Sequence, residues 1–178
     1  MAFQEKSVLK GYFETSDIPT QTHFSDLIDS MKAIGYASIY VETNSTATTI
    51  ASSSTDFSNK VQVTIFDTNG AASDATPDHT NDHITIGEAG DYDIVATVSF
   101  SGANSATYSL GIFKNNGATQ LGPRTTRKLG TGGDVGACVV ASGVVTLAAA
   151  DTVELWIQNE GGTGDPTVQD SMLSVTRE

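Results

Sequence analysis

Beyond residue 35, apolar and polar residues alternate in short segments, which is the pattern of β-strands with one buried face. In one such segment Val61, Val63 and Ile65 fall on the same side, with polar residues between them. Turn sequences rich in glycine and asparagine, such as Asn115-Asn116-Gly117, separate the segments. The predicted strands are 37–41, 48–51, 60–66, 83–87, 92–101, 107–114, 124–128, 136–147, 152–159 and 171–176. Strands at this spacing predict a mainly β protein, an antiparallel two-sheet sandwich or jelly roll.

The N-terminal region has the periodicity of one short amphipathic helix, over about residues 20–34. Its apolar residues fall at i, i+3, i+4 and i+7, on one face: Phe24, Leu27, Ile28 and Met31. Thr20 is the expected N-cap, and Gly35 the expected C-terminal cap. A single helix of this length is marginal alone, so it must dock on its own domain, on symmetry mates or on another protein. The pattern divides the chain into an attachment segment, 1–35, and a β domain, 36–178.

One predicted strand is apolar on both faces. Ala137, Cys138, Val139, Val140 and Ala141 follow one another without a polar residue. A strand covered on both faces need not alternate, and in a two-sheet sandwich the second cover must come from outside the sheet pair. A neighbouring copy of the chain is the simplest source, so these five residues are predicted to form the interface of a homo-oligomer.

Composition and charge exclude several classes of function. The chain of 178 residues has no apolar run long enough to span a membrane. Its 9 basic and 21 acidic residues give a net charge of -12, which argues against nucleic acid as a partner. The single cysteine, Cys138, rules out an internal disulfide and is expected to be a buried, inert thiol.

No arrangement of residues typical of an enzyme is visible, so the chain is predicted not to be an enzyme. A Gly-x-Ser-x-Gly nucleophile motif is missing, and the glycine-rich segment 130–136 lacks the spacing of a nucleotide-binding loop. His23 is interpreted as a surface or docking residue of the helix. Trp156 is interpreted as an interface residue, with sugar stacking as the alternative.

The segment 74–83 is the most suggestive candidate for a ligand site. It concentrates acidic and imidazole groups that could bind Ca²⁺ or another divalent cation, although the spacing is not that of an EF-hand. The candidate ligands are Asp74, Asp78, His79, Asp82 and His83. The alternative interpretation is that the segment is a solvated loop without a metal and that the protein has no cofactor. Seven acidic residues and no lysine or arginine lie between Lys60 and Lys114, so a cation would relieve repulsion there.

Several motifs, in this order, resemble those of C1q/TNF-like jelly-roll domains. The resemblance covers residues 36–178 and rests on four motifs. The first is Gly90-Asp91-Tyr92-Asp93-Ile94 with Val98-Ser99-Phe100, and the second is Tyr108 to Gly117 with its Lys-Asn-Asn-Gly turn. The third is Ser142-Gly143-Val144-Val145-Thr146-Leu147 followed by Asp151-Thr152-Val153-Glu154-Leu155-Trp156-Ile157, and the fourth is the terminal segment 171–175. It implies a jelly roll that assembles as a homotrimer.

The N-terminal region resembles a different group, the fibre- and tail-associated proteins of bacteriophage virions. The similarity lies in Tyr12-Phe13-Glu14-Thr15-Ser16-Asp17-Ile18-Pro19-Thr20 and in the following segment 24–30. It implies attachment to the virion, with Phe13, Phe24, Leu27, Ile28 and Met31 as anchors.

Together the two resemblances imply a bacteriophage structural protein on the virion surface, made in the cytoplasm of the bacterial host. The short chain leaves no room for a long fibre shaft, which favours a homotrimeric capsid decoration (cement) or head-fibre protein. Its partners would be its own copies and the major capsid protein or another virion protein. The alternative is a tail-fibre tip or receptor-binding protein that recognises a host surface glycan or protein.

Overall fold

The computed structural model describes residues 6–12, 18–30, 34–42, 46–47, 57–131, 135–161 and 164–178. The chain divides into two compact units, Met1–Ala33 and Ile34–Glu178. Helices α1 (Lys6–Gly11) and α2 (Gln21–Ser30) belong to the first unit. Among the described residues, no helix is long and apolar enough to cross a membrane.

The start of α2 is fixed by a reciprocal cap. Thr20 Oγ1 accepts a hydrogen bond from the His23 backbone N–H, and His23 Nδ1 accepts one from the Thr20 N–H, both at 3.3 Å. The imidazole thus occupies the place that glutamate has in a capping box. The same ring stacks on Tyr12 with centroids 4.1 Å apart, which links the end of α1 to the start of α2. The predicted cap residue Gly35 belongs instead to the second unit, where its carbonyl accepts a hydrogen bond from the Arg177 N–H.

The second unit consists of two antiparallel sheets. The strands are β1 (Tyr36–Tyr40), β2 (Thr46–Ala47), β3 (Val61–Gln62), β4 (Thr68–Asn69), β5 (Ala75–Asp78), β6 (His83–Ile86), β7 (Gly90–Ser101), β8 (Thr107–Lys114), β9 (Thr119–Lys128), β10 (Val135–Leu147), β11 (Thr152–Asn159) and β12 (Thr167–Arg177). Sheet A has the order β10-β7-β12-β1-β4, with β2 also paired to β12. Sheet B has the order β5-β6-β11-β8-β9, with β3 also paired to β11. The predicted strand 48–51 lies outside the described residues.

The core fills the space between the two sheets. In β7 the inward residues alternate with half-buried or exposed ones, and this inward set includes Tyr92, Ile94 and Phe100, all inaccessible to solvent. The two large buried tyrosines still satisfy their hydroxyls: Tyr92 donates to the Glu88 carbonyl at 2.7 Å, and Tyr108 accepts from the Ala103 N–H at 3.0 Å. Apolar burial on this scale is the main stabilising contribution to such a sandwich.

The segment predicted as one strand, 60–66, pairs as a strand only at Val61 and Gln62. The Val63 N–H still donates to the Leu155 carbonyl at 2.9 Å, but Ile65 and Phe66 are both buried. Because neighbouring residues of a strand point to opposite faces, two consecutive buried residues break the alternation here. Sequence reasoning likewise missed β5, where Pro77 is compatible with an edge strand.

Two carboxylates clamp the turn between β8 and β9. Asp151 accepts hydrogen bonds from Lys114 Nζ at 2.7 Å, from Asn115 Nδ2 at 2.8 Å and from the Ala148 N–H at 3.0 Å. Glu154, which is buried, accepts from the backbone N–H groups of the next two turn residues, Asn116 at 3.1 Å and Gly117 at 3.2 Å. The Lys-Asn-Asn-Gly turn and the Asp-x-x-Glu segment, two of the motifs noted in the sequence, are therefore halves of one structural unit.

Candidate interaction surface

The doubly apolar strand β10 lies at one edge of sheet A and presents alternate residues to opposite sides. Cys138 and Val140 point into the core of the single chain, and the interface predicted at all five residues stays a prediction. Ala137, Val139 and Ala141 point outward, and Val139 is 59% exposed. Burial raises the pKa of the Cys138 thiol, which agrees with the inert thiol predicted from the sequence.

The outward residues of β10 continue across sheet A as rows. The strand register places Val139 opposite Thr97 of β7, Thr97 opposite Met172 of β12, and Met172 opposite Tyr40 of β1. The next row, in the same strand order, is Ala141, Val95, Ser174 and Ser38. The outer face of sheet A thus carries a continuous band of apolar and small polar side chains.

A bulge in β10 extends this band. The register against β7 shifts between Ala141 and Val144, with Gly143 in the left-handed region at φ 66°. One extra residue in a strand redirects the side chains that follow it. Val144, which comes directly after the bulge, is 62% exposed and stands in the row of Asp93 and Thr176.

The outer face of sheet A holds little charge. Among its described outward residues the charged side chains are Asp91, Asp93 and Asp170, and Ser99 Oγ donates to Asp170 Oδ2 at 2.8 Å. A shallow cavity of about 290 Å³ on this face is lined mainly by small side chains, among them Thr97 and Ala137. Exposed apolar bands of this kind are typical of protein association rather than of acid–base chemistry.

The predicted attachment residues of the N-terminal unit are partly described. Phe24 on α2 is 48% exposed and Leu27 is half-buried. Phe13 and Met31 lie outside the described residues, and Ile28 lies in α2, where its side chain is not described. The structure adds Ile18, which is 90% exposed just before the helix and which helical periodicity could not identify.

The five predicted metal ligands lie on or beside the β5–β6 hairpin. Asp78 is occupied within its turn, because its carboxylate accepts from the N–H groups of Thr80 and Asn81 and from Asn81 Nδ2. The Asn81 side-chain amide is the main cause of a lowered pKa of the Asp78 carboxyl. His83 Nδ1 lies 3.2 Å from the Asn81 carbonyl oxygen. Asp74 is exposed in the left-handed region, at φ 56°.

His79 and Asp82 lie together at a separate cavity beside this hairpin. Across the described part of the chain, no three histidine, cysteine or acidic side chains are grouped as metal ligands would be. The structure therefore distributes the five residues instead of gathering them, and divalent metal binding stays a prediction.

Two other side chains of the jelly roll, Trp156 and Arg124, are engaged within the chain. Trp156 packs edge-on against Phe113 at 6.2 Å, with Lys60 Nζ 5.2 Å from its ring, so it is not an open stacking platform. Arg124, on edge strand β9, contacts Glu160 at 3.6 Å and lies over the Phe57 ring at 5.3 Å.

Comparison with protein-family models finds no match, and comparison with curated proteins finds none either. Solved structures do match. Eiger TNF from S. frugiperda superposes with a TM-score of 0.57 at 12% identity, over 81% of this chain and 93% of that one. Murine APRIL, in a crystal structure at pH 5.0, superposes with a TM-score of 0.56 at 14% identity, over 82% of this chain and 100% of that one. Likeness at this identity shows the fold, and it confirms the predicted one: the chain forms an antiparallel two-sheet jelly roll of the C1q/TNF-like type.

Proposed function

We propose that this protein is a homotrimeric structural protein of a bacteriophage particle, a capsid decoration (cement) or head-fibre protein. It binds the virion through residues 1–35 and displays the jelly roll as a knob. Its mechanism is binding, not catalysis. The phage context and the trimeric state come from the two resemblances in the sequence. The observation that carries the proposal is the outer face of sheet A, an exposed apolar band next to a core that is already complete.

The apolar band supports association between copies of the chain. Three apolar side chains of the band are poorly packed in the monomer: Val139 and Val144 are more than half exposed, and Met172 is 37% exposed. Burying such side chains against a neighbour contributes roughly 25 cal/mol for each Å² of apolar surface removed from water. The small residues between them, such as Ala137 and Val95, permit the close approach of another subunit.

The N-terminal unit supports attachment to a second kind of partner. It is a compact unit of its own, and Ile18 and Phe24 expose large apolar side chains. Buried apolar anchors dominate the energy of most protein interfaces, so these two residues suit docking on a virion protein.

Particle binding by full-length variants tests the attachment. Ile18→Asp and Phe24→Asp change exposed side chains, so the fold should be retained. We expect both variants to bind poorly to particles that lack the protein, while their mass in solution stays that of the wild type. Ser25→Asp, at an exposed polar position of the same helix, is the matched control and should bind normally. Wild-type binding by both apolar-site variants would contradict attachment through this unit.

A second candidate function is recognition of a host surface glycan by a tail-fibre tip or receptor-binding protein. The observation in its favour is a cavity of about 310 Å³ lined by uncharged polar residues, among them Ser105, Thr107 and Asn159. Such groups can exchange hydrogen bonds with sugar hydroxyls. This candidate predicts that Ala103→Trp, at an exposed residue that also lines the cavity, blocks adsorption of phage to cells without affecting particle assembly. The decoration function predicts no effect on adsorption.

A further inference from the structure

A cavity of about 380 Å³ lies between residues 64–67 and the turn from β5 to β6. It is an open hollow, separate from the apolar band of sheet A, and is formed within one chain. Its polar lining consists of Thr64, Asp67, His79, Thr80 and Asp82. Two of these residues carry polar side-chain atoms that the described residues do not fully pair.

The first is Asp82, whose side chain is nine-tenths buried, with 8% exposed. Its Oδ1 accepts a hydrogen bond from the Phe66 N–H at 3.0 Å, and Oδ2 has no hydrogen-bond partner among the described residues. Burial raises the pKa of this carboxyl to about 6, and the titratable groups that act on it are His79, Asp78 and His83. The groups that act on Asp82 include no lysine or arginine, and none occurs in the sequence between Lys60 and Lys114.

The second is His79, whose Nδ1 is buried and has no hydrogen-bond partner. Its backbone N–H donates to Asn69 Oδ1 at 2.8 Å, which holds the residue at the rim of the cavity. A buried ring nitrogen without a protein partner is uncommon in folded proteins and calls for a partner from outside the chain, a water molecule or a ligand. In the neutral ring with the proton on Nε2, Nδ1 is an acceptor.

The cavity therefore presents the Asp82 carboxylate and the hydroxyls of Thr64 and Thr80, and the unpaired His79 ring nitrogen is buried beside them. We propose that this cavity binds an alkylammonium group, the chemistry of a lysine side chain or of a free polyamine. An ammonium offers three N–H donors and one positive charge, which match these acceptors and the buried carboxylate.

Other ligand classes fit less well. An anion would face Asp82 and Asp67 and would be repelled. A neutral hydroxyl compound would leave the buried carboxylate without a countercharge. A divalent cation needs more protein ligands than this cavity provides, since the described residues contain no group of three.

The experiment is a titration of the ¹⁵N-labelled full-length protein, followed by NMR. The probe is Nα-acetyl-lysine N-methylamide, and its Nε-acetylated form is the neutral control. We expect shifts confined to residues 64–67 and 79–82 with the charged probe and none with the neutral one. No shift at about 10 mM charged probe, or equal shifts with both compounds, would overturn the proposal.

Variants separate the site from general electrostatics. Asp82→Asn keeps the shape, the acceptor for the Phe66 N–H and tolerance of the positive φ, so the fold should be retained. We expect it to weaken probe binding about tenfold or more, the usual effect of losing one charge-assisted hydrogen bond. Asp74→Asn is the matched control, since it removes the same charge from an exposed, left-handed residue outside the cavity. An equal loss of probe affinity in both variants would show that net charge alone causes the effect, and it would contradict binding in the cavity.

Two further titrations identify the source of the ammonium group. A lysine-containing peptide that binds more tightly than spermidine would indicate a protein partner, and the reverse order would indicate a polyamine; either supports the site. Calcium chloride that shifts the same residues at lower concentration than any amine would overturn the ammonium assignment. The site does not depend on the trimer or on the virion, so its failure and that of the proposed function are distinguishable.

Discussion

Two acidic side chains of the jelly roll, Asp151 and Asp82, are both largely buried but have opposite pKa shifts. Burial raises the pKa of Asp151, but hydrogen bonds from Lys114, Asn115 and the Ala148 N–H outweigh it, and the result is about 2. Asp82 receives one such hydrogen bond, from the Phe66 N–H, and its pKa rises to about 6. The number of donors around a buried carboxylate therefore decides whether the group stabilises or destabilises the fold at neutral pH.

We predict that Asp82→Asn stabilises the protein at pH 7 by about 1–2 kcal/mol. The folded pKa of Asp82, about 6, lies above its unfolded value of about 4. Protonation of Asp82 therefore stabilises the fold fully below about pH 4, and this contribution is lost as the pH rises through 6. The advantage of the variant should accordingly vanish near pH 4. Urea unfolding of the wild type and the variant between pH 4 and 7 measures the difference in free energy of unfolding. A difference that does not change with pH would contradict the raised pKa of Asp82.

We predict the opposite dependence for Asp151→Asn, which should lower the free energy of unfolding at pH 7 by about 2 kcal/mol. Because the folded pKa of Asp151 is lowered to about 2, its contribution is present above the unfolded pKa of about 4 and is lost as the pH falls towards 2. The deficit of the variant should shrink below pH 4. Asp74→Asn, at an exposed carboxylate, is the control for both experiments and should show neither profile.

At the scale of elements, the best-predicted strands are those with clear turn residues at both ends. β8 and β11 have the bounds expected from the sequence, Thr107–Lys114 and Thr152–Asn159. The sequence predicts that β9 begins at residue 124, because Gly122 and Pro123 usually break a strand, but β9 begins at Thr119. Both are tolerated in an edge strand, where the register against β8 shifts near this point.

The apolar band of sheet A could be predicted only in part. The sequence of β10 shows that both of its faces are apolar, but not which residues face outward. That choice depends on the register with β7, which pairs Val139 with Thr97. The sequence singles out His79 and Asp82 as candidate ligands but does not predict the cavity beside them, since its other wall comes from residues 64–67, where the expected strand alternation is broken.

The turn clamped by Asp151 and Glu154 gives a prediction at the element scale. Gly117 has φ 73°, and a Cβ there would lie 2.7 Å from Trp156 Cζ2. Gly143 has a similar φ of 66°, but a Cβ there would meet nothing within 4 Å. Gly117→Ala should therefore destabilise the protein more than Gly143→Ala, by about 1–3 kcal/mol, since only the first adds overpacking to the cost of the left-handed backbone. Equal changes in thermal or urea unfolding would contradict the packing at Trp156.

At the scale of the whole molecule, one surface determines the proposed assembly. The jelly roll completes its core within one chain, yet the outer face of sheet A leaves Val139, Val144 and Met172 exposed. Monomeric proteins rarely expose a contiguous apolar band without a partner. We predict that Val139→Asp yields folded monomers, because this side chain is 59% exposed in the single chain. Thr119→Asp, an exposed position of β9 in the other sheet, is the matched control and should leave the assembly unchanged.

The most direct test is the mass of the full-length protein and of both variants by sedimentation equilibrium. For the wild type and Thr119→Asp we expect three times the chain mass of 18.6 kDa, and for Val139→Asp the mass of one chain. Circular dichroism of the variant should match the wild type, which separates dissociation from unfolding. A wild-type mass of one chain at every concentration, or a Val139→Asp protein that remains a trimer, would contradict assembly through the outer face of sheet A.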